Sequence, residues 1–290
     1  MADAVDLRPR HAARFQRLRQ LVRDPLGLLG VLLVTLVVAT ALGADWIAPF
    51  DYKAMGTGER LASPSWAHLL GTDNLGRDSF SRVVYGSRIA LYVALVSVGL
   101  SLVLGLFLGM LAGYGPRWLD NALLLVFDSL RSFPVIMFAL AVVTVLGPKL
   151  ETIILVVVAT SVPGYARITR TATLALKNAE FILAERSLGA GPLRLMVSHF
   201  LPNLVSPLLI LASMDIPVVI TVEAGLSFLG LGVRPPTPSW GAILNDGYAF
   251  IRNTPWLVIA GSLPIVVTTL GFTFLGEALR DLFDPKFRRR

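Results

Sequence analysis

The chain has 290 residues, of which 54% are hydrophobic and 16% are charged, and its formal net charge is +7 at pH 7. This composition is too apolar for a water-soluble domain and indicates a polytopic membrane protein in contact with lipid. The chain has no cysteine, which excludes a disulfide framework and any Cys-based zinc or thiol site. The basic residues cluster at the two ends and in one loop between apolar runs, so membrane topology explains the positive charge better than nucleic-acid binding.

The N-terminal part of the chain predicts one membrane helix and a long polar loop. Residues 1–24 are rich in arginine and precede an apolar run at residues 25–44. This run is longer than the apolar region of a signal peptide and ends in Asp45-Trp46, so it predicts an uncleaved membrane helix with an aromatic anchor. Residues 45–87 are polar and rich in turn residues, and we expect them to form an extracytoplasmic loop.

The remaining chain, residues 88–290, contains five more apolar stretches and brings the predicted total to six membrane helices in an all-α protein. The predicted spans are residues 89–113, 121–146, 152–166, 204–224 and 256–276. A polar segment at residues 167–203, a Gly- and Pro-rich re-entrant or extracytoplasmic loop at residues 225–255 and a tail at residues 277–290 complete the pattern. Pro134 lies inside the third span and predicts a kink there.

Three glycines in the second predicted helix, Gly105, Gly109 and Gly113, recur at every fourth position. This spacing places them on one face of the helix, where the absence of a side chain lets a neighbouring helix approach closely. We therefore expect this face to serve helix packing rather than ligand binding.

Residues 181–203 form a polar segment between apolar runs. Phe181 to Leu188 can form two helical turns, the Gly189-Ala190-Gly191 sequence would end them, and Pro192 suits the first position of a second short helix. The spacing predicts a helix-turn-helix outside the bilayer, although an ordinary loop between two membrane helices fits it as well.

The same segment resembles the EAA loop of importer-type ABC transporter permeases, which docks into a cleft on the ATPase subunit. Gly189 and the Leu201-Pro202 pair fall on the family pattern, whereas residues 183–185 read Leu-Ala-Glu in place of the Glu-Ala-Ala triplet, so the acidic residue stands two places late. The resemblance implies that the ATPase contacts come from Leu183, Ala184, Glu185, Gly189, Ala190, His199 and Pro202.

Three further blocks resemble the C-type subunit of dipeptide and oligopeptide permeases, namely LGTDNLGRD at residues 70–78, LSFLGLG at residues 226–232 and PPTPSWG at residues 235–241. The resemblance implies the fold of a type I ABC importer permease, which moves di- or oligopeptides by alternating access. It also implies a B-type permease subunit, two ATPase subunits and an extracytoplasmic substrate-binding protein as partners. ATP and Mg would be bound by the ATPase subunits, and this chain would hold no cofactor.

Ionisable residues inside the predicted spans are candidates for function, because a charge at membrane depth must face protein or a wet cavity rather than lipid. Asp128 and Arg131 lie one turn apart and predict an ion pair, within their helix or to a neighbour. Asp215 and Glu223, with Phe228 in the loop that follows, are the candidates for lining a translocation pathway. For Asp215 the alternative is a structural partnership with a polar group on a neighbouring helix.

The distribution of lysine and arginine predicts the orientation of the chain. The side that carries both termini and residues 167–203 receives more than twice as many basic residues as the other side, so both termini are predicted to be cytoplasmic. The resemblance implies the cytoplasmic membrane of a bacterium or archaeon as the location.

Several chemistries find no support in the sequence. None of the four lysines follows a glycine, so the chain lacks the Gly-Lys-Ser/Thr of a P-loop and is not itself predicted to be an enzyme. His11, His68 and His199 lie in different segments and offer no metal-ligand spacing. The alternatives are an ion-coupled secondary transporter that binds its cation at Asp215 and Glu223, and a structural or sensory subunit that transports nothing.

Overall fold

The computed structural model describes residues 24–283, in which the secondary structure is helical and no strand occurs, in agreement with the predicted all-α class. Five helices are long and apolar enough to cross a membrane, or six if one bent pair counts as a single span. The long helices are α1 (Pro25–Leu42), α3 (Ser79–Tyr114), α6 (Leu150–Lys177), α9 (Leu201–Phe228) and α11 (Trp256–Phe283). The shorter helices are α2 (Ala44–Ile47), α4 (Arg117–Arg131), α5 (Val135–Leu146), α7 (Glu180–Ser187), α8 (Pro192–Leu195) and α10 (Trp240–Ala249), with a π-helical turn at Met196–Phe200. The predicted N-terminal tail before residue 24 and the end of the predicted C-terminal tail after residue 283 lie outside the described residues.

The third predicted span is not one helix. Residues 121–146 are divided between α4 and α5, whose axes differ by 91°. Pro134 explains the break, because it has no N–H to donate to the preceding turn and its ring disfavours helical backbone at Phe133. The chain therefore makes a sharp turn between two separate helices, where a kink within one helix was expected.

The predicted loop boundaries also differ from the structure. The loop expected to reach residue 87 ends at Asp78, whose carboxylate accepts a hydrogen bond of 2.7 Å from the Ser81 N–H and so caps α3. The loop expected over residues 225–255 contains α10, which Ser239 caps. The Trp240 side chain at the start of α10 is 1% exposed, and its ring N–H donates to the Val83 carbonyl at 2.9 Å. Burial of this indole against α3 explains why a Gly- and Pro-rich segment contains an ordered helix.

A buried charge cluster organises the polar loop before α3. The Asp73 carboxylate, 0% exposed, accepts hydrogen bonds from Arg77 Nε at 2.5 Å and from an Arg82 guanidinium nitrogen at 2.6 Å. The same Arg82 nitrogen also lies 3.2 Å from Asp246 in α10. Beside the cluster, His68 Nδ1 and the Asp78 carboxylate are 2.9 Å apart. The cluster thus ties the loop, the start of α3 and α10 together.

The glycine face of α3 lies against α6. A Cβ atom added at Gly109 would stand 2.5 Å from the Ala166 carbonyl oxygen and from the Thr169 Cβ, and Gly105 and Gly113 meet the same helix just as closely. Because part of each contact is backbone, the two helices could accommodate a methyl group only by moving apart.

We expect Gly109→Ala to destabilise the purified protein by about 1–3 kcal/mol, as overpacking does at tightly packed positions. Gly99→Ala is the matched control, because a Cβ at Gly99 in the same helix would meet nothing within 4 Å. Thermal unfolding of both variants measures the difference. Equal stability of the two would show that the α3–α6 contact is looser than described.

Candidate functional site

The α7–α8 segment, which we define as residues 180–203, contains a helix end built around Gly189. Gly189 has φ of +90°, its N–H donates to the Arg186 carbonyl, and the Ala190 N–H donates to the Glu185 carbonyl, both at 3.0 Å. These two bonds form the Schellman arrangement that ends a helix on a left-handed residue. Pro192 then starts α8, which continues through the π-helical turn into α9.

The inner side of the α7–α8 segment is fixed to α3. Ile182, Leu195 and Phe200 are 0% exposed. The Phe200 ring meets the ring of Tyr114, at the end of α3, edge to face at a centroid distance of 5.7 Å. Lys177 Nζ donates to the Tyr114 carbonyl at 3.0 Å and lies 5.2 Å from its ring centroid. The segment is therefore packed against the end of α3 through a buried aromatic side chain.

The outer side of the α7–α8 segment is apolar and exposed. Leu188 is 84% exposed and Leu193 is 76% exposed, and the neighbouring Phe181, Leu183 and Val197 are exposed as well. An exposed apolar patch surrounded by polar residues is typical of a protein interaction surface. Of these five residues only Leu183 was predicted to contact the ATPase, although large apolar side chains within an otherwise polar segment were a visible signal for the others.

The structure distributes the other predicted coupling residues over the same segment. Ala184, Gly189 and Pro202 are exposed, and Ala190 is half-buried. Glu185 and His199 are both half-buried and face each other, with 3.8 Å between a carboxylate oxygen and Nε2. The displaced acidic residue Glu185 therefore lies between α7 and the π-helical turn.

We expect Gly189→Ala to weaken the turn by about 1 kcal/mol, because a Cβ is disfavoured at positive φ. No atom lies within 4 Å of the added Cβ, so the effect comes from the backbone alone. Gly191→Ala is the control, since Gly191 is equally uncrowded but has φ of −74°. If residues 180–203 contact an ATPase subunit, as the resemblance implies, the amount of that subunit that co-purifies should fall several-fold for the first variant only, and equal retention would contradict this role of Gly189.

A second feature is a cavity of about 300 Å³ between the end of α4, α6 and α9. Its wall includes Asp215, which is half-buried, and Arg131. Tyr165, 1% exposed, also lines the cavity. Most of the remaining wall is aliphatic. Such a pocket, mostly apolar with a few convergent polar groups, is typical of a small-molecule site.

The other two pathway candidates do not line this cavity. Glu223 is 0% exposed, and its carboxylate accepts a 2.7 Å hydrogen bond from the hydroxyl of Ser227, one turn later in α9. Phe228 ends α9 and contacts the Tyr248 ring at a centroid distance of 5.9 Å. Asp215 therefore lines the cavity without the other two predicted pathway residues, Glu223 and Phe228.

Asp128 and Arg131 do not pair with each other, and of the two expected arrangements the structure shows the pair between helices. Asp128 pairs with Arg167 of α6, which holds α4 against that helix. Arg131, at the last position of α4, is left at the cavity without an ion-pair partner among residues 24–283. Within that same range no group of His, Asp and Glu side chains could hold a metal ion.

Comparison with known proteins gives two family matches along the chain. Residues 105–289 match the family described as binding-protein-dependent transport system inner membrane component. Residues 15–64 match the N-terminal TM domain of oligopeptide transport permease C.

Individual relatives match over nearly the whole chain. The dipeptide transport system permease protein DppC of Alkalihalophilus pseudofirmus is 36% identical over 270 residues, which cover 93% of this chain and 89% of the relative. The glutathione transport system permease protein GsiD of Pectobacterium atrosepticum is 40% identical over 271 residues, with coverages of 93% and 90%. The fold is similar to that of a chain in the inward-facing MetNI methionine ABC transporter, with a TM-score of 0.56 and 20% identity over 70% of this chain and 96% of that chain. The chain therefore belongs to the family of inner membrane components of binding-protein-dependent transport systems, the permease subunits of ABC importers.

Proposed function

We propose that this chain is one of two permease subunits of an ATP-driven importer of di- or oligopeptides and that the α7–α8 segment contacts its ATPase. The observation that carries this proposal is the exposed apolar side of the segment, presented on a base of fully buried side chains. Relatives named for dipeptide, di/tripeptide and glutathione transport support a short peptide as cargo.

The proposed complex contains a B-type permease, two ATPase subunits that bind ATP and Mg, and an extracytoplasmic substrate-binding protein. The large exposed apolar surfaces of the membrane helices are available to the second permease and to lipid. The ion-coupled alternative gains no support, because Glu223 does not line the cavity that Asp215 lines and its buried carboxylate is hydrogen-bonded to Ser227.

The mechanism that we propose transmits ATPase closure along two routes. One route runs from the buried base of the α7–α8 segment through Tyr114 into α3. The other runs along the continuous helical stretch Pro192–Phe228, which carries Asp215 at the cavity. Rigid movement of these helices would open the cavity alternately to the two sides of the membrane.

We expect both termini to be cytoplasmic, as the charge distribution predicts. Reporters inserted at Gly189 and fused after Arg290 should give cytoplasmic signals, whereas a reporter near Gly58 should give an extracytoplasmic signal. An extracytoplasmic signal at Gly189 would contradict the ATPase contact, because the ATPase is a cytoplasmic subunit.

The proposed function is tested by reconstituting the complete complex in proteoliposomes with the binding protein on the outside. Uptake of a labelled dipeptide should require ATP on the ATPase side and the binding protein. Uptake that follows a proton or sodium gradient without ATP would overturn the proposal.

A further inference from the structure

We propose that the cavity between α4, α6 and α9 is a binding subsite for a short zwitterionic peptide in transit, with Asp215 receiving its ammonium group and Arg131 its carboxylate. This inference rests on the proposed peptide import and adds to it a recognition site within the permease itself.

The charges of the cavity support this assignment. Asp215 and Arg131 are the two charged residues among the described residues of its wall, and they have opposite signs. Neither has an ion-pair partner among residues 24–283, although the other charged residue of this region, Asp128, is paired with Arg167. A ligand that carries both charges would satisfy both side chains at once.

The apolar wall of the cavity favours binding of a charged ligand group by these side chains. Valine and leucine side chains of α6 and α9 form much of the wall around the half-buried Asp215, and a partly buried charge beside an apolar wall is unfavourable without a partner. Arg131 lies at the exposed edge of the cavity, where it can receive the other end of a ligand. Tyr165 lines the same cavity as Asp215, so its hydroxyl can contact the same ligand. Thr160 and Ser161 line the cavity too, and their hydroxyl groups can contact a peptide amide.

The size of the cavity narrows the ligand class. Its volume of about 300 Å³ is at the lower end of the range for small-molecule sites. At Gly164 a Cβ would meet nothing within 4 Å, so the α6 backbone itself is open to the cavity. These dimensions suit a dipeptide better than an extended oligopeptide, and a longer peptide would engage the two charges one after the other.

The absence of cysteine from the chain permits a direct test. In the purified permease–ATPase complex without the binding protein, Ser161→Cys places a single thiol of this chain at the cavity. We expect alanyl-alanine to slow maleimide labelling of this thiol. N-acetyl-alanyl-alanine and alanyl-alanine amide, each of which lacks one charge, should protect at least tenfold less well.

Variants of Asp215 and Arg131 test which charged group of the peptide each side chain binds. In the Ser161→Cys background, Asp215→Asn should make alanyl-alanine and N-acetyl-alanyl-alanine protect the thiol equally well. Arg131→Gln should make alanyl-alanine and alanyl-alanine amide protect it equally well. Asp215→Glu should retain protection. Glu151→Gln, at the exposed start of α6 and outside the cavity, is the matched control and should leave protection unchanged.

The outcomes separate the subsite from the proposed function. Equal protection by free and blocked dipeptides, or no protection while the complex imports dipeptide with ATP, would overturn the subsite and leave the importer function intact. Failure of ATP-dependent uptake in the unsubstituted complex would count against the function itself. Loss of complex assembly in both Asp215→Asn and Asp215→Glu would show a structural role instead, and the blocked-peptide comparison at native Asp215 does not depend on these variants.

Discussion

Replacing Leu188 and Leu193 together with aspartate should detach the ATPase and lower ATP-dependent transport more than a hundredfold. These side chains are 84% and 76% exposed in the chain alone, so nearly all of their apolar surface is available to a partner. Burying a leucine contributes about 1.5–3 kcal/mol, so losing two such contacts removes about 3–6 kcal/mol of binding free energy. Co-purification of the ATPase with the permease pair, together with transport in proteoliposomes, measures the effect.

The control for this double variant is Ser187→Asp with Ser198→Asp. Both serines are exposed in the same segment, so the control adds the same two negative charges without removing apolar surface. The control should retain the ATPase. If both double variants lost it equally, electrostatics rather than apolar contact would hold the ATPase, and the assignment of the exposed leucines would be wrong.

The second large effect is expected from Asp73→Ala in the buried charge cluster before α3. Removing this carboxylate leaves the guanidinium groups of Arg77 and Arg82, which are 4% and 3% exposed, without their main partner. Removal of one partner from a buried ion pair costs about 3–5 kcal/mol, because the remaining charge stays buried. The variant should therefore unfold at a distinctly lower temperature or fail to accumulate in the membrane.

Asp246→Ala is the comparison for this prediction. Its side chain is 31% exposed and lies 3.2 Å and 3.8 Å from the nearest nitrogens of Arg82 and Arg77, so water can replace part of its contribution. We expect a loss of stability smaller than that of Asp73→Ala. A larger loss would mean that Asp246 rather than Asp73 is the centre of the cluster.

The cluster also explains what the LGTDNLGRD block at residues 70–78 does in the structure. From the sequence this block was identified only by its place in a polar loop and its resemblance to peptide permeases. Asp73 pairs with Arg77, four residues later, and Arg82 and Asp246 complete the cluster. Asp246 lies 164 positions beyond Arg82, and no local pattern connects the two. The sequence therefore indicated that the block matters but not what it holds together.

The sequence by itself determined the features that depend on neighbouring residues. Apolar runs long enough to span a membrane, the break at Pro134, the packing face of Gly109 and the helix end at Gly189 all follow from local chemistry, because hydrophobicity, a missing N–H and a missing Cβ act within a few residues. Only the tertiary structure decided the 91° change of direction after α4 and the pairing of Asp128 with Arg167. It also decided the exposure of Leu188 and the presence of both Arg131 and Asp215 in the wall of one cavity. The reason is that each of these features depends on which helices become neighbours, and that choice is made by packing over the whole chain rather than by any single segment.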